Sequence, residues 1–522
     1  MVAPHFPLPR FRSAWRMGVC CCVILAMFSN PCLADTVELI SGEKLIGTVV
    51  SESDATIEFE STGLGKVSLP RDRILRIEKG TAVSAPVPGA QEVVAPVVPL
   101  GEEVAQIAAP PEPPKKDEDL LRMYWDQGLR YQIFQPITVQ VPFSQDERTI
   151  GEEIRIIGRA GLKWSQDVAA FHSNDEDPRQ IEGGGALRQF KLYTNGQVGK
   201  SKDPTLYSLD FGSVDGSFYM TEGWVRWQGV EYVHNLQIGY ETVPQTLENI
   251  YSFTAMTFME ASSMSLAFSP GNRLGVEVFR FFDNESLRVS GGVYSVGSDL
   301  GLNGGSVTQT LLYPVVRATR LPVFEDRGKD GIKLAHFGIS VGYQLAKDSE
   351  FLFQARPESF IAPYLVNTGK INADKAGLVG LEALYMHGPF TLTGEMAGIH
   401  LKGENPSNNF WGGYVSVGYF LTGEQREYDK SSGAVVGRLL PKKEFSWKAK
   451  TGGAWEVAAR ISYLDLEDQS VNGGRMGIGM LGVNWYWDRY LRWQLNTAYA
   501  DVREGPSPGD LYFIQARFQV VF

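Results

Sequence analysis

Residues 512–522 read Tyr512-Phe513-Ile514-Gln515-Ala516-Arg517-Phe518-Gln519-Val520-Val521-Phe522, and this stretch decides the fold. Successive strand side chains point to opposite sides, so Tyr512, Ile514, Ala516, Phe518, Val520 and Phe522 share one face while Gln515, Arg517 and Gln519 share the other. A greasy face backed by a polar, arginine-bearing one suits a wall with hydrocarbon outside and water within.

The same two-residue beat recurs upstream. Trp455-Glu456-Val457-Ala458-Ala459-Arg460-Ile461-Ser462-Tyr463 and Leu491-Arg492-Trp493-Gln494-Leu495-Asn496-Thr497-Ala498-Tyr499 obey it, and from about residue 150 such segments follow one another between Gly, Asn, Asp, Ser and Pro turns. Roughly fifteen to eighteen strands fit, and an even number near sixteen would leave an aqueous channel. Trp224, Trp227, Trp411, Tyr419, Trp485 and Trp487 sit near segment ends, where an aromatic girdle is expected. An aromatic final residue in such a strand is similar to the C-terminal signal of bacterial outer-membrane proteins. Beyond the first 34 residues no stretch approaches about eighteen uninterrupted apolar residues, so a membrane crossing has to be a closed transmembrane antiparallel β-barrel.

The N-terminal part reads differently. Arg10, Arg12 and Arg16 precede an apolar run from Met17 to Phe28, and Cys32-Leu33-Ala34 offers a small-residue cleavage site, so residues 1–34 are expected to be a secretory signal peptide. All four cysteines, Cys20, Cys21, Cys22 and Cys32, lie inside it, which leaves the mature chain without thiol chemistry. Taking its three arginines from 49 Lys and Arg leaves 46 against 60 Asp and Glu, a balance of −14 that argues against nucleic acid. Residues 35–79 hold five short strand patterns with turns at Ser41-Gly42 and Gly63-Leu64-Gly65, and they resemble a small SH3/Sm-like β-barrel domain. Residues 80–116 form a Pro/Ala-rich linker, and 117–149 a periplasmic, plug or lead-in segment before the barrel of 150–522.

Several segments, in one order along the chain, are similar to the phosphate-selective porin O and P family. They include Ile156-Ile157-Gly158-Arg159, Leu187-Arg188-Gln189-Phe190-Lys191-Leu192, Phe258-Met259-Glu260, Ala355-Arg356-Pro357-Glu358-Ser359, Phe420-Leu421-Thr422-Gly423-Glu424-Gln425-Arg426-Glu427-Tyr428 and Gly482-Val483-Asn484-Trp485-Tyr486. The resemblance covers about residue 120 to 522 and leaves the N-terminal module unexplained. It implies a homotrimeric, water-filled channel in the outer membrane whose inward Arg and Lys side chains pass phosphate or similar small anions. Matching positions are Arg159, Lys191, Arg273 and Arg356; strand parity adds Lys163, Arg226, Arg460 and Arg492. For each, pairing with a neighbouring carboxylate is the competing reading. The chain departs from the family pattern at Gln189, at Thr242 beside Glu241, and at Ala261. Residues 151–522 carry 35 basic and 41 acidic side chains. A general or weakly cation-preferring nutrient pore is therefore the alternative, and an envelope anchor whose 35–79 module docks a periplasmic or cell-wall partner is another.

Other motifs are set aside. Gly477-Ile478-Gly479-Met480-Leu481-Gly482 spells a dinucleotide fingerprint but runs into a strand pattern with no helix to present amides to a pyrophosphate. His172, His234, His336, His387 and His400 are isolated in sequence, so neither a metal nor another cofactor is expected. No GxSxG-like setting marks a nucleophile, and no enzyme activity is expected.

Overall fold

A computed structural model of the chain describes residues 33–39, 44–52, 56–61, 65–70, 74–82, 121–125, 129–140, 147–173, 181–199, 203–214, 217–296, 311–328, 331–403, 407–435, 437, 439–469, 471–506 and 508–522. Residues 1–32 of the expected leader and nearly all of the expected linker lie outside them. The chain divides into Met1–Ala95 and Pro96–Phe522. The first unit is an antiparallel sheet of β1 (Leu33–Leu39), β2 (Lys44–Glu52), β3 (Thr56–Ser61), β4 (Gly65–Pro70) and β5 (Ile74–Ala82), in the order β4-β3-β2-β1-β5.

The second unit is a closed barrel. Its strands are β8 (Glu147–Ser173), β9 (Gly184–Val198), β10 (Thr205–Val214), β11 (Ser217–Val230), β12 (His234–Thr242), β13 (Asn272–Phe282), β14 (Leu287–Val296), β15 (Leu311–Asp326), β16 (Ile332–Ala355), β17 (Val366–His387), β18 (Phe390–Lys402), β19 (Asn408–Phe420), β22 (Ala454–Asp468), β23 (Val471–Tyr486), β24 (Leu491–Arg503) and β25 (Gly509–Val521). Neighbours pair antiparallel, and β25 returns to β8 from Leu511↔Ser173 to Val521↔Lys163, closing sixteen strands. Two small strands, β20 (Tyr428–Asp429) and β21 (Ala434–Val435), interrupt the run between β19 and β22. No described helix is long and apolar enough to cross a membrane.

Residues 121–125 and 129–140 join the same sheet. The hairpin of β6 (Leu121–Trp125) and β7 (Leu129–Gln140) lies along β8 below the closing seam, from Leu129↔Ala160 to Gln140↔Glu147. Gly158 lets it dock: the Tyr131 ring passes over that position to reach Thr194 at 2.6 Å, and a β-carbon there would fall 2.4 Å from it.

The alternation read in residues 512–522 holds. Tyr512 and Ile514 are exposed on the outer wall, while Gln515, Arg517 and Gln519 are buried inside. An aromatic belt runs along the short-turn end of the outer wall from β22 to β8, where Trp455, Trp485, Trp493 and Phe518 pair across successive strands and Trp164 meets Phe518 edge-on at 5.8 Å. Trp227, Trp411 and Tyr419 are also exposed. Trp224 is a correction: the register from Glu222 to Arg226 turns it inward, and it is buried. A near-terminal tryptophan can equally serve a lumen, and position along the strand does not report its face.

Candidate functional site

The lumen is the candidate site, and two connections that fold into it set its shape. Residues 243–271, between β12 and β13, hold Val243, Leu247, Ile250, Phe253, Met256, Phe258, Met259, Met264 and Phe268, all buried. Outside in water so apolar a loop would lose its burial energy, so it packs into the barrel. Its helices α1 (Leu247–Ile250) and α2 (Ser263–Phe268) are capped by the Thr246 and Ser262 hydroxyls. Glu395 from β18 accepts the α1 amides of Leu247 and Glu248 at 2.6 and 2.7 Å. Wall glycines make the room: a β-carbon on Gly412 would lie 2.9 Å from Met264, and one on Gly482 3.2 Å from the Phe258 ring.

Arginines of the wall hold this segment in place. Arg517 forks onto Asp167 at 2.7 Å for both bonds and reaches Glu260 at 2.7 Å, while Arg188 grips Glu260 from the other side at 2.7 and 3.0 Å. Burial works to raise the Glu260 carboxyl, but Arg188 and Arg517 outweigh it and hold it at about 2. Arg460 donates to Glu248 at 3.2 Å, to the Glu260 carbonyl at 3.0 Å, and to Glu358 of the 356–365 loop. Arg492 donates to the Thr254 and Met256 carbonyls at 3.2 and 2.7 Å.

The second connection, residues 421–453, enters from the short-turn end. Arg426 binds Glu456 at 2.6 and 2.8 Å and the Ala255 carbonyl. From the opposite wall Arg288 donates to the Ser431 carbonyl at 2.8 Å, and Arg317 to those of Ser432 and Gly433 at 2.9 Å each. Tyr428 meets the buried His336 at 2.7 Å, whose other ring nitrogen lies 2.9 Å from Glu382. Tyr428, Ala434 and Val435 share an apolar core with Leu247, Ile250, Phe253 and Met256, so the two inserted segments meet inside the barrel.

A uniformly wet interior, as strand alternation implied, is therefore only half right. Toward the long-loop end, inward positions of β16 to β25 carry Phe351, Phe353, Phe410, Leu464, Met476, Ile478, Val502 and Phe513, which share one apolar core with Met264 and Phe268 of α2. These side chains face protein rather than water, and apolar residues stabilise that contact. The polar wall is the other one, β9 to β15, where Asp210, Glu222, Gln237, Glu241, Glu277 and Arg288 are buried.

The family model for phosphate-selective porin O and P matches residues 159–522. The chain belongs to the phosphate-selective porin O and P family. This makes it a porin-type channel protein of the outer membrane, in keeping with the sixteen-stranded barrel. An uncharacterized protein of Caulobacter vibrioides is 24% identical over 502 residues, covering 92% of this chain and 93% of its own. Among solved structures, the trimer form of OmpT from Vibrio cholerae is 12% identical, covers 70% of this chain and 99% of its own, and gives a TM-score of 0.44. An anion-selective porin from Comamonas acidovorans is 11% identical with the same coverage and a TM-score of 0.44.

In this porin the eight sequence-derived cations divide into groups. Arg460 and Arg492 seat the 243–271 segment. Lys191 pairs with Asp210 at 3.3 Å. Arg159 and Lys163 lie over the Tyr193 ring at 5.5 and 4.8 Å. Arg226, half-buried, donates to Gln237 at 2.6 Å and stacks between Trp224 and Phe279 at 4.9 and 5.0 Å. Arg273, also half-buried, stands opposite Glu241 in the β12–β13 ladder. Arg356 lies just past the end of β16, over Phe360 and Tyr364 at 5.1 and 4.8 Å.

Sequence reasoning missed Arg188, Arg288, Arg317, Arg426 and Arg517 as site residues. Arg517 was legible from its own strand. Arg188 was not, because the register slips between Ser165↔Gln189 and Gln166↔Leu187, and this bulge turns both Arg188 and Gln189 inward.

Proposed function

We propose that this porin passes small anionic solutes, phosphate or similar, by passive diffusion along the β10–β13 side of the lumen, where Arg226 and Arg273 stand. One asymmetry carries the reading: Arg226 and Arg273 keep part of their surface open, whereas Asp210, Glu222, Glu241 and Glu277 on the same wall are buried. A solute on that side then meets positive charge first, and guanidinium forks can replace part of an anion's hydration shell. Reversal potentials in planar bilayers under a KCl gradient test it. Chloride-favouring sign is expected, reduced in Arg226→Ala/Arg273→Ala; a potassium-favouring sign would refute the proposal. That outcome would sustain a general or weakly cation-preferring pore, a reading favoured by pairs such as Lys191–Asp210 and Arg288–Glu277.

The assembly is proposed to be a homotrimer in outer-membrane lipid, exported by cleavage of residues 1–34. The β1–β5 sheet is proposed to be an SH3/Sm-like module that docks a periplasmic or cell-wall partner through the 80–116 linker. Its order β4-β3-β2-β1-β5 supports that reading. Removing residues 35–116 should leave conductance unchanged and abolish co-sedimentation with cell-wall sacculi; retained co-sedimentation sinks the docking role.

A further inference from the structure

Residues 439–453 leave the lumen and fold over the outer wall at the short-turn rim. Phe445 stacks on Trp487 at 5.1 Å and meets Trp485 edge-on at 5.5 Å, and its amide donates to the Trp487 carbonyl at 2.6 Å. The Gly452 carbonyl accepts the indole N–H of both Trp455 and Trp485, at 3.1 and 2.8 Å. These two indoles belong to the aromatic belt, so the lobe is continuous with the surface where such belts meet lipid headgroups. Reciprocal backbone bonds between Ser446 and Thr451, at 3.2 and 3.1 Å, close a small hairpin, and the Arg489–Glu444 pair at 3.1 Å pins its base.

What this hairpin presents is a second observation. Trp447 is 85% exposed, and Lys442, Lys443, Lys448 and Lys450 are all exposed around it, with Glu444 as the acid within the lobe. A large apolar ring held in the open on a hairpin with four exposed lysines, of which Lys442 also donates to the Gly423 carbonyl, is unfavourable in water and favourable at a membrane surface, where the ring enters the acyl boundary and the lysines reach phosphates. Short turns mark the periplasmic end of such barrels, so the leaflet in question is the inner one. The register places the lobe level with the belt. We propose that residues 439–453 form an anchoring site for anionic phospholipid headgroups of the inner leaflet, with Trp447 inserted and Lys442, Lys443, Lys448 and Lys450 on the phosphates. This does not depend on the pore's ion preference.

The full-length protein tests it in two ways. Native mass spectrometry after exchange into micelles with equal phosphatidylglycerol and phosphatidylcholine should show preferential retention of the anionic lipid. In Lys442→Ser/Lys443→Ser/Lys448→Ser/Lys450→Ser that preference should fall several-fold, and it should fade as salt is raised. Excess glycerophosphate should not displace the lipid, because it lacks the chains that Trp447 accompanies. In vesicles containing brominated phosphatidylglycerol, the difference in fluorescence quenching between the native protein and Trp447→Phe should report a lipid-shielded indole. All exchanged residues are exposed, so the barrel should still fold. Equal lipid retention by the lysine variant, or a Trp447 quenched by aqueous iodide and not by brominated lipid, overturns the proposal. So does cross-linking of the lobe to the lobe of a second copy.

Discussion

Replacing Arg460 with methionine should unseat the lumenal segment without opening the barrel. Arg460 is fully enclosed and bonds Glu248, the Glu260 carbonyl and Glu358, which ties residues 243–271 and the 356–365 loop to β22. Methionine fills similar volume, so the loss is electrostatic: two carboxylates stay buried without their cation. Breaking one side of a buried ion pair costs about 3–5 kcal/mol. At about 1.36 kcal/mol per tenfold, the seated state then loses roughly two to three and a half orders of magnitude against displaced states. The ladder from β8 to β25 does not involve this side chain, so strand content should persist. Hydrogen exchange should rise sharply in residues 247–268, and single-channel records should show a larger or noisier conductance. Arg460→Met/Glu358→Gln should recover part of the loss, since the remaining amide can still accept from Ser263, whose amide lies 2.9 Å from Glu358. Unchanged exchange and unchanged conductance in the folded single variant would refute the idea that Arg460 seats the segment.

Two other expectations follow from the same interior. Replacing residues 424–437 by a short turn removes the contacts of Arg426, Tyr428 and the Ser431–Gly433 carbonyls, so conductance should increase severalfold; conductance at or below the native value counts against this lumenal segment as an obstruction. Because the folded Glu260 carboxyl sits at about 2, below its ordinary range, its ionised form adds stability above that range and loses it as pH falls through about 2. Conductance should therefore hold from about pH 7 to about pH 4, and a transition between about pH 5 and pH 4 would contradict the Arg188–Glu260–Arg517 cluster. Arg188→Met should move the acid transition upward.

The barrel was legible in the sequence because its cause is local. Two-residue alternation in Tyr512–Phe522 or Trp455–Tyr463 states which side chains share a face, and Arg460 and Arg492 lie on the inward face it assigns them, bonded to the inserted segment. What fills the lumen was less legible. Leu511 and Phe513 look like ordinary strand residues, and only the apolar core they join inside the barrel explains why they are apolar and inward. The segment Glu424-Gln425-Arg426-Glu427-Tyr428 stood out as a family resemblance, but its partners Ala255, Glu456 and His336 are remote in sequence. Periodicity cannot report contacts of that kind. The bulge at Arg188 defeats parity outright, since one extra residue reverses the face of those beyond it.

The arrangement along β8 also bears on how the cylinder shuts. Going down one edge of that strand, β25 occupies positions as far as Leu162, and β7 takes over at Ala160. Closing strands are free to slip by two residues wherever the partner edge stays open, because such a slip preserves alternation. Here the hairpin already holds the next bonding positions, so β25 meets an end-stop. The N-terminal hairpin thereby blocks a slip of β25 in that direction and helps fix the stagger at the seam.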